Sequence, residues 1–117
     1  MENRIKITPF EDGLLIKITG ELDSLHVMSY KDMIVGEMNR KNPLYILWDF
    51  KDLTFLDSAG IGLILGRYND IRRIHGECGF IGLNAYSRKI INITGLFSII
   101  DEYKSISTFK KKRRINV

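Results

Sequence analysis

The segment Asp57-Ser58-Ala59-Gly60-Ile61-Gly62 places a carboxylate, a hydroxyl and two glycines at the start of a predicted helix. Several backbone N–H groups in a helix's first turn have no intrahelical acceptor, and the helix dipole is positive there. A phosphate on Ser58 would meet those donors. The two glycines each cost about 1 kcal/mol of helix stability relative to alanine, as expected if the turn stays open to another protein's backbone or a nucleotide phosphate. The alternative is structural: Asp57 and Ser58 cap the helix, and Gly62 and Gly66 allow close packing on the sheet.

Other chemistries require groups that the sequence does not supply. His26 and His75 are the two histidines, and we interpret each as an ordinary surface or boundary residue. There is no Gly-x-Ser-x-Gly nucleophile elbow, no Gly-x-x-x-x-Gly-Lys-Ser/Thr phosphate loop and no His/Asp/Glu cluster at metal-ligand spacing. Cys78 is the single cysteine, which excludes an internal disulfide and a multi-cysteine metal site. We therefore expect no catalytic residue, no metal and no cofactor, and we interpret the protein as a non-enzyme.

A phospho-accepting aspartate, as in bacterial receiver domains, is the weaker alternative. Asp49 near a strand end and Asp57 after the following loop could suggest one. That chemistry also requires a paired acidic site after the first strand for a magnesium ion, and a lysine opposite. Glu11 and Asp12 lie in a turn between two strands, before any helix, so the topology does not fit.

The positive charge is concentrated near the C-terminus. The net charge is +4, and residues 110–114 are five consecutive basic side chains, which leaves 13 basic and 14 acidic side chains elsewhere. A nucleic-acid-binding domain normally spreads its basic residues over a face and interleaves them with aromatics, a pattern that the rest of the chain lacks. We expect no direct nucleic-acid binding and interpret residues 110–117 as a disordered basic tail. The alternative is an electrostatic contact with an acidic partner or with DNA bound to RNA polymerase.

Length and hydropathy bound the fold and the compartment. The 117 residues, 44% of them hydrophobic, suit one domain, here residues 1–109 without the basic tail. No apolar stretch approaches the roughly 20 residues of a membrane span, and the N-terminus has no apolar region of a secretory signal. We expect a cytoplasmic protein without a membrane partner.

Hydrophobic periodicity predicts an α/β fold. The predicted elements are strands at 4–8 and 14–19, the second ending at Gly20; a helix from Asp23 or Ser24 to near Asn39; a strand at 44–50; a loop at 51–56; a helix from 57–58 to Gly76; a strand at 78–83; a helix from Asn84 to about Ile93, with Gly95 as its C-terminal cap; a short strand at 96–100; and a helix at 105–112. Strands separated by helices imply right-handed crossovers and a mostly parallel sheet. We predict a single α/β domain with a mixed, mostly parallel sheet, an N-terminal hairpin and about four helices.

Several segments resemble the signature of the anti-sigma factor antagonists in the STAS domain family. The central segment runs from Asp52 to Gly62 and continues as Leu-Ile-Leu-Gly-Arg-Tyr to Tyr68. The segment Gly20-Glu21-Leu22-Asp23 resembles the family's approach to its first helix. Residues 76–77, 82–84 and 94–100 match later landmarks. The resemblance extends to about residue 103 and is to the sporulation-type antagonist of spore-forming Firmicutes.

The resemblance implies a switch protein without catalytic activity. In that family a serine protein kinase that is also an anti-sigma factor, with ATP or ADP bound to it, phosphorylates the serine that corresponds to Ser58. The unphosphorylated antagonist binds the kinase and releases the sigma factor for transcription, and a serine phosphatase restores the serine. Asp23 matches the family's kinase-contacting aspartate. The expected partner-binding residues are Glu21, Leu22, Asp23, Asp57, Ser58, Ala59, Gly60, Ile61 and Gly62.

Three departures from the family pattern are visible. Ala59 replaces a second serine common in the motif, which leaves Ser58 as the unambiguous phosphoacceptor. Ser24-Leu25-His26 replaces a histidine-rich sequence, so contacts there could be tuned to a different kinase surface, and residues 84–87 lack a frequent proline. A STAS domain that acts without phosphorylation, as a scaffold or as a regulatory domain of a transporter or stress complex, is the alternative function.

Overall fold

An antiparallel hairpin begins the fold and forms one edge of its sheet. The computed structural model describes residues 2–115, in which β1 (Arg4–Phe10) pairs with β2 (Gly13–Leu22) from Arg4↔Thr19 to Phe10↔Gly13. Glu11 and Asp12 form the turn between them, and Glu11 has a positive φ of 38°. The predicted N-terminal hairpin is confirmed.

The other strands run parallel to β2. Next along the chain are β3 (Tyr45–Asp49), which pairs with β2, and β4 (Leu53–Leu56), which pairs with the last residues of β2. Then come β5 (Glu77–Ile81), which pairs with β3, and β6 (Asp101–Glu102), which pairs with β5. The strand order is β1-β2-β3-β5-β6, with β4 beside the end of β2. The predicted α/β fold with a mixed, mostly parallel sheet is therefore confirmed.

Four helices accompany the sheet in residues 2–115: α1 (Val27–Lys41), α2 (Ser58–Arg73), α3 (Ala85–Thr94) and α4 (Ile106–Ile115). The first three pack on the face to which β2 points its fully buried side chains, Leu14, Ile16 and Ile18. Their apolar stripes supply the other half of this core: Tyr30 and Ile34 from α1, Leu63, Ile64 and Ile71 from α2, and Ile91 from α3. No helix in the described range has the length and apolar character needed to cross a membrane.

The segment 51–56, predicted as a loop, contains the strand β4. Leu53 and Leu56 are 1% and 5% exposed, so both ends of this four-residue strand are anchored in the core. The strand pairs with β2 beyond Gly20, where the sequence predicted that β2 ends. Gly20 has a φ of 91°, and the pairing register shifts between Gly20 and Glu21. At this step β2 advances by one residue and β4 by two, so the extra residue is Thr54 of β4, and beyond this bulge the pairing continues to Leu22.

Two other boundaries differ from the prediction. Helix α1 begins after His26 rather than at Asp23 or Ser24, because Asp23 closes a separate turn whose carbonyl accepts from His26 N and Val27 N. The apolar segment 96–100, predicted as a strand, is a short 3-10 turn followed by β6. The predicted α3 is confirmed: Asn84 caps it in a capping box, and Gly95 with a φ of 79° ends it.

The C-terminal helix contradicts the predicted disordered tail. Helix α4 continues through residues 110–115, while 116–117 lie outside the described residues. Phe109 is 1% exposed and sits edge-on to both Tyr45 and Tyr103, against the sheet face opposite to the first three helices. The basic side chains find carboxylates around it, in the pairs Lys110–Glu11, Lys112–Asp101 and Arg113–Glu77. This apolar anchor and these ion pairs explain why the segment is a docked helix.

Candidate functional site

Asp57 organises the N-terminus of α2. Its backbone is extended, and one carboxylate oxygen accepts from Ala59 N at 2.9 Å and from Gly60 N at 3.1 Å, while its carbonyl accepts from Ile61 N. The other carboxylate oxygen accepts from Ser24 N at 3.3 Å. Asp57 therefore caps α2 and also ties it to the segment before α1. Of the N–H groups expected to face a phosphate, two are already occupied by this carboxylate.

Ser58 is the first residue of α2, and its side chain is exposed. Its hydroxyl makes no hydrogen bond to any residue in the range 2–115. The hydroxyl is therefore accessible to a modifying enzyme and lies next to a fixed negative charge.

The glycines of the motif have different roles. A Cβ on Gly60 would lie 2.5 Å from Leu22 O and 2.6 Å from a Leu56 methyl, so Gly60 lets α2 press onto the ends of β2 and β4. A Cβ on Gly62 or on Gly66 would meet nothing within 4 Å. The structural alternative, in which Gly62 and Gly66 allow close packing on the sheet, is therefore wrong on this point, and the close approach belongs to Gly60.

Asp23 is held within its own loop. Its carboxylate accepts from Leu25 N at 3.2 Å and from His26 N at 3.1 Å, and it lies 2.7 Å from His26 Nδ1. The side-chain hydrogen bond with His26 is the main reason that the pKa of Asp23 lies below its ordinary value; partial desolvation acts against it, and the backbone N–H groups act with it. Only 17% of the side chain is exposed. Asp23 shapes the loop and presents only part of its carboxylate to solvent.

The expected partner-binding residues divide by exposure. Leu22 and Gly60 are buried and support the site from below, and their assignment as partner-binding residues stays a prediction. Asp23, Asp57, Ala59 and Ile61 are half-buried. Glu21, Ser58 and Gly62 are exposed. The hydrogen bond between Ser24 and Asp57 brings the two predicted segments, 21–23 and 57–62, together.

The sequence analysis missed three exposed apolar side chains on the segments that flank this hydrogen bond. Leu25 is 82% exposed, Met28 is 74% exposed and Phe55 is 41% exposed. Leu25 follows Ser24 directly, and Phe55 pairs with Glu21 three residues before Ser58. The available signal was position, because Met28 lies off the apolar stripe of α1 and Leu25 precedes that helix. We call Ser58, Leu25, Met28 and Phe55 the Ser58 surface.

Helix α3 supports the segment that leads into Ser58. The Tyr86 hydroxyl accepts from Leu56 N at 3.1 Å. The Asn84 side-chain amide donates to Lys51 O at 2.7 Å and to Leu53 O at 2.8 Å, in addition to capping α3. These bonds fix both ends of β4, so the position of Ser58 is set by rigid elements on two sides.

The remaining candidate groups do not assemble into a catalytic or metal site. Cys78 is buried, and desolvation raises the pKa of its thiol to about 12. His75 lies just beyond α2, at the opposite end from Ser58. Within residues 2–115 no group of three His, Cys, Asp or Glu side chains is arranged to hold a metal ion. Glu11 precedes the first residue of β2, which pairs with the start of β3, whereas Asp49 is the last residue of β3. Glu11 and Asp49, which the receiver-type alternative needs together, therefore lie at opposite ends of β3.

The molecule is thus a single α/β domain with an exposed serine at a capped helix N-terminus and no assembled catalytic group among the described residues. The chain belongs to the STAS domain family, whose model matches residues 4–111. It is 32% identical over 104 residues to the anti-sigma F factor antagonist of Paenibacillus polymyxa, an alignment that covers 88% of each chain.

Solved structures have the same fold. The anti-sigma factor antagonist SpoIIAA in its unphosphorylated form superposes with a TM-score of 0.79 at 23% identity, covering 94% of this chain and 96% of that chain. The phosphorylated form of the Bacillus cell fate determinant SpoIIAA gives a TM-score of 0.72 at 23% identity, covering 92% and 98%. At this identity the two structures establish the fold alone.

Proposed function

We propose that this protein is an anti-sigma factor antagonist switched by phosphorylation of Ser58. In its unphosphorylated form it binds a serine protein kinase that is also an anti-sigma factor, and so releases a sporulation sigma factor in the cytoplasm. The observation that carries the proposal is the exposed, unbonded Ser58 hydroxyl beside the capping carboxylate of Asp57. The anti-sigma F factor antagonist that it resembles at 32% identity supports the same function.

The Ser58 surface has the composition of a docking site. Leu25 and Met28 each expose more than two thirds of their area to solvent. Exposed apolar area of this kind does not stabilise a monomer, whereas a protein interface would bury it. The two residues lie on the segment that Ser24 N ties to Asp57, whose carboxylate oxygens are already bonded to N–H groups. A partner that covers this surface buries apolar area and desolvates Ser58.

Phosphorylation opposes such docking through charge. A phosphoserine carries about −1.5 to −2 charges at pH 7. Two first-turn donors are bound to Asp57 rather than free, so the phosphate meets a like charge and finds fewer donors to compensate it. Burying this mismatch costs about 3–4 kcal/mol, or several hundred-fold in affinity. No rearrangement of the domain is required, and a serine phosphatase reverses the change at the same exposed oxygen. The nucleotide, ATP or ADP, belongs to the kinase.

The proposal is tested by incubation with ATP and a kinase/anti-sigma factor of this class, followed by mass spectrometry of the intact protein. We expect one phosphate in the wild type and none in Ser58→Ala. Ser24→Ala is the matched control, because Ser24 is a neighbouring exposed serine whose backbone N–H, and not its hydroxyl, contacts Asp57. This variant should be phosphorylated like the wild type.

Absence of phosphate in the wild type, or phosphate that persists in Ser58→Ala, would contradict the proposal. The first result together with retained partner binding would favour the unphosphorylated scaffold or the transporter-associated domain.

A further inference from the structure

Helix α4 covers only part of its sheet face. Alternation along the hairpin places Arg4 and Lys6 of β1 and Lys17 and Thr19 of β2 on that same face, beyond the helix. These four side chains line a depression of about 390 Å³. We call them the basic hairpin face.

The register of the hairpin brings like charges together. Lys6 lies directly opposite Lys17, and Arg4 lies opposite Thr19. Directly opposed like charges destabilise an antiparallel pair. The pairing of Lys6 with Lys17 therefore does not serve the stability of the hairpin.

The cations of the basic hairpin face are only partly neutralised. Lys17 pairs with Asp52 at 3.2 Å, and Asp49, its register partner on β3, accepts from Lys51 N. Arg4 and Lys6 form no ion pair with any residue of the described chain. On α4, by contrast, Lys110, Lys112 and Arg113 each have a carboxylate partner. Arg4 and Lys6 are therefore two unpaired cations that lie on one face, beside the partly neutralised Lys17.

We propose that the basic hairpin face binds an acidic polypeptide segment of a partner protein. Arg4 and Lys6 supply unpaired charge, and the depression admits an extended chain of carboxylates. An acidic peptide fits better than a nucleic acid, because no aromatic side chain on which bases could stack lines the depression. The proposal does not depend on phosphorylation of Ser58.

A fluorescein-labelled short poly-glutamate peptide tests the proposal by anisotropy at about 20 mM salt, where charge contacts are weakly screened. We expect the wild type to bind and Lys6→Glu to bind at least about tenfold more weakly. Lys89→Glu changes the net charge by the same amount on the exposed side of α3 and should stay within about twofold of the wild type. If both variants bound the peptide equally weakly, net charge alone would explain the effect and the proposal would be overturned. Absence of peptide binding to the wild type would overturn it as well.

Two further measurements separate this role from the alternatives. Lys6→Thr should raise the midpoint of urea unfolding, because it removes the like-charge pair, and should also weaken peptide binding; a lower midpoint would show that Lys6 serves folding and contradict the proposal. A single-stranded DNA oligonucleotide of similar charge should bind more weakly than the peptide. Tighter DNA binding that is lost in Lys6→Glu would overturn the assignment to an acidic polypeptide.

Discussion

Substitutions at Ser58 test whether a negative charge alone, without the phosphate, weakens partner binding. We expect Ser58→Asp and Ser58→Glu to bind the kinase poorly, because each places a carboxylate beside Asp57 in a surface built around a neutral hydroxyl. Ser58→Ala, which adds no charge, should bind like the wild type. Isothermal titration calorimetry measures all three, and undiminished affinity of the acidic variants would contradict the charge argument.

Gly60 and Gly62 form a matched pair for the packing at the same turn. Gly60→Ala places a methyl 2.5 Å from Leu22 O, and we expect it to lower the free energy of unfolding by about 1–3 kcal/mol. Gly62→Ala meets nothing within 4 Å and should raise that free energy by up to about 1 kcal/mol through helix propensity. Urea denaturation measures both. Equal effects of the two substitutions would show that close approach is not why Gly60 is there.

Helix α4 is the element whose role changes most between sequence and structure. Truncation after Phe109 removes the three ion pairs and leaves a single helical turn, which is too short to persist alone. We expect a lower midpoint of urea unfolding and kinase binding within about twofold of the wild type, because α4 packs on the face opposite to α2. Calorimetry of the folded variant measures the binding.

Lys111→Ala is the control for this truncation, because Lys111 is exposed and has no ion pair among residues 2–115. It should change neither the midpoint nor the affinity. A large loss of affinity in the truncated but folded protein would make the C-terminal segment part of the docking site.

At the scale of the whole molecule, Cys78 reports on the integrity of the fold. The thiol is 2% exposed in the core, and its pKa of about 12 keeps it protonated at neutral pH. We therefore expect Ellman's reagent to react at pH 8 only as fast as the domain unfolds, and at once in concentrated urea. Rapid reaction of the native protein would show that β5 opens locally.

The sequence predicted those features that local patterns encode. Period-two alternation located the hairpin, and Asn84 and Gly95 bounded α3, because caps and strands depend on near neighbours. Strand β4 was missed because it is four residues long and two of its side chains are exposed. The docking of α4 depends on Glu11, which lies 99 residues from Lys110 along the chain, and periodicity carries no information on such pairs.

The candidate site was predicted in its chemistry and not in its assembly. The motif around Ser58 predicted a serine in the first turn of a capped helix, and in the structure Asp57 caps that helix. The bond from Ser24 N to Asp57 joins residues 33 positions apart, and the exposure of Met28 depends on which side of α1 faces the sheet. Both follow from tertiary packing, so neither could be derived from spacing.

The two sides of the sheet are covered by separate parts of the chain: α1, α2 and α3 pack on one, and α4 packs on the other, which leaves the charged side chains of the hairpin exposed. A substitution on one side of the sheet is therefore separated from residues on the other side by the layer of strands. Substitutions in the last helix or on the outer hairpin can therefore accumulate without altering the surroundings of Ser58.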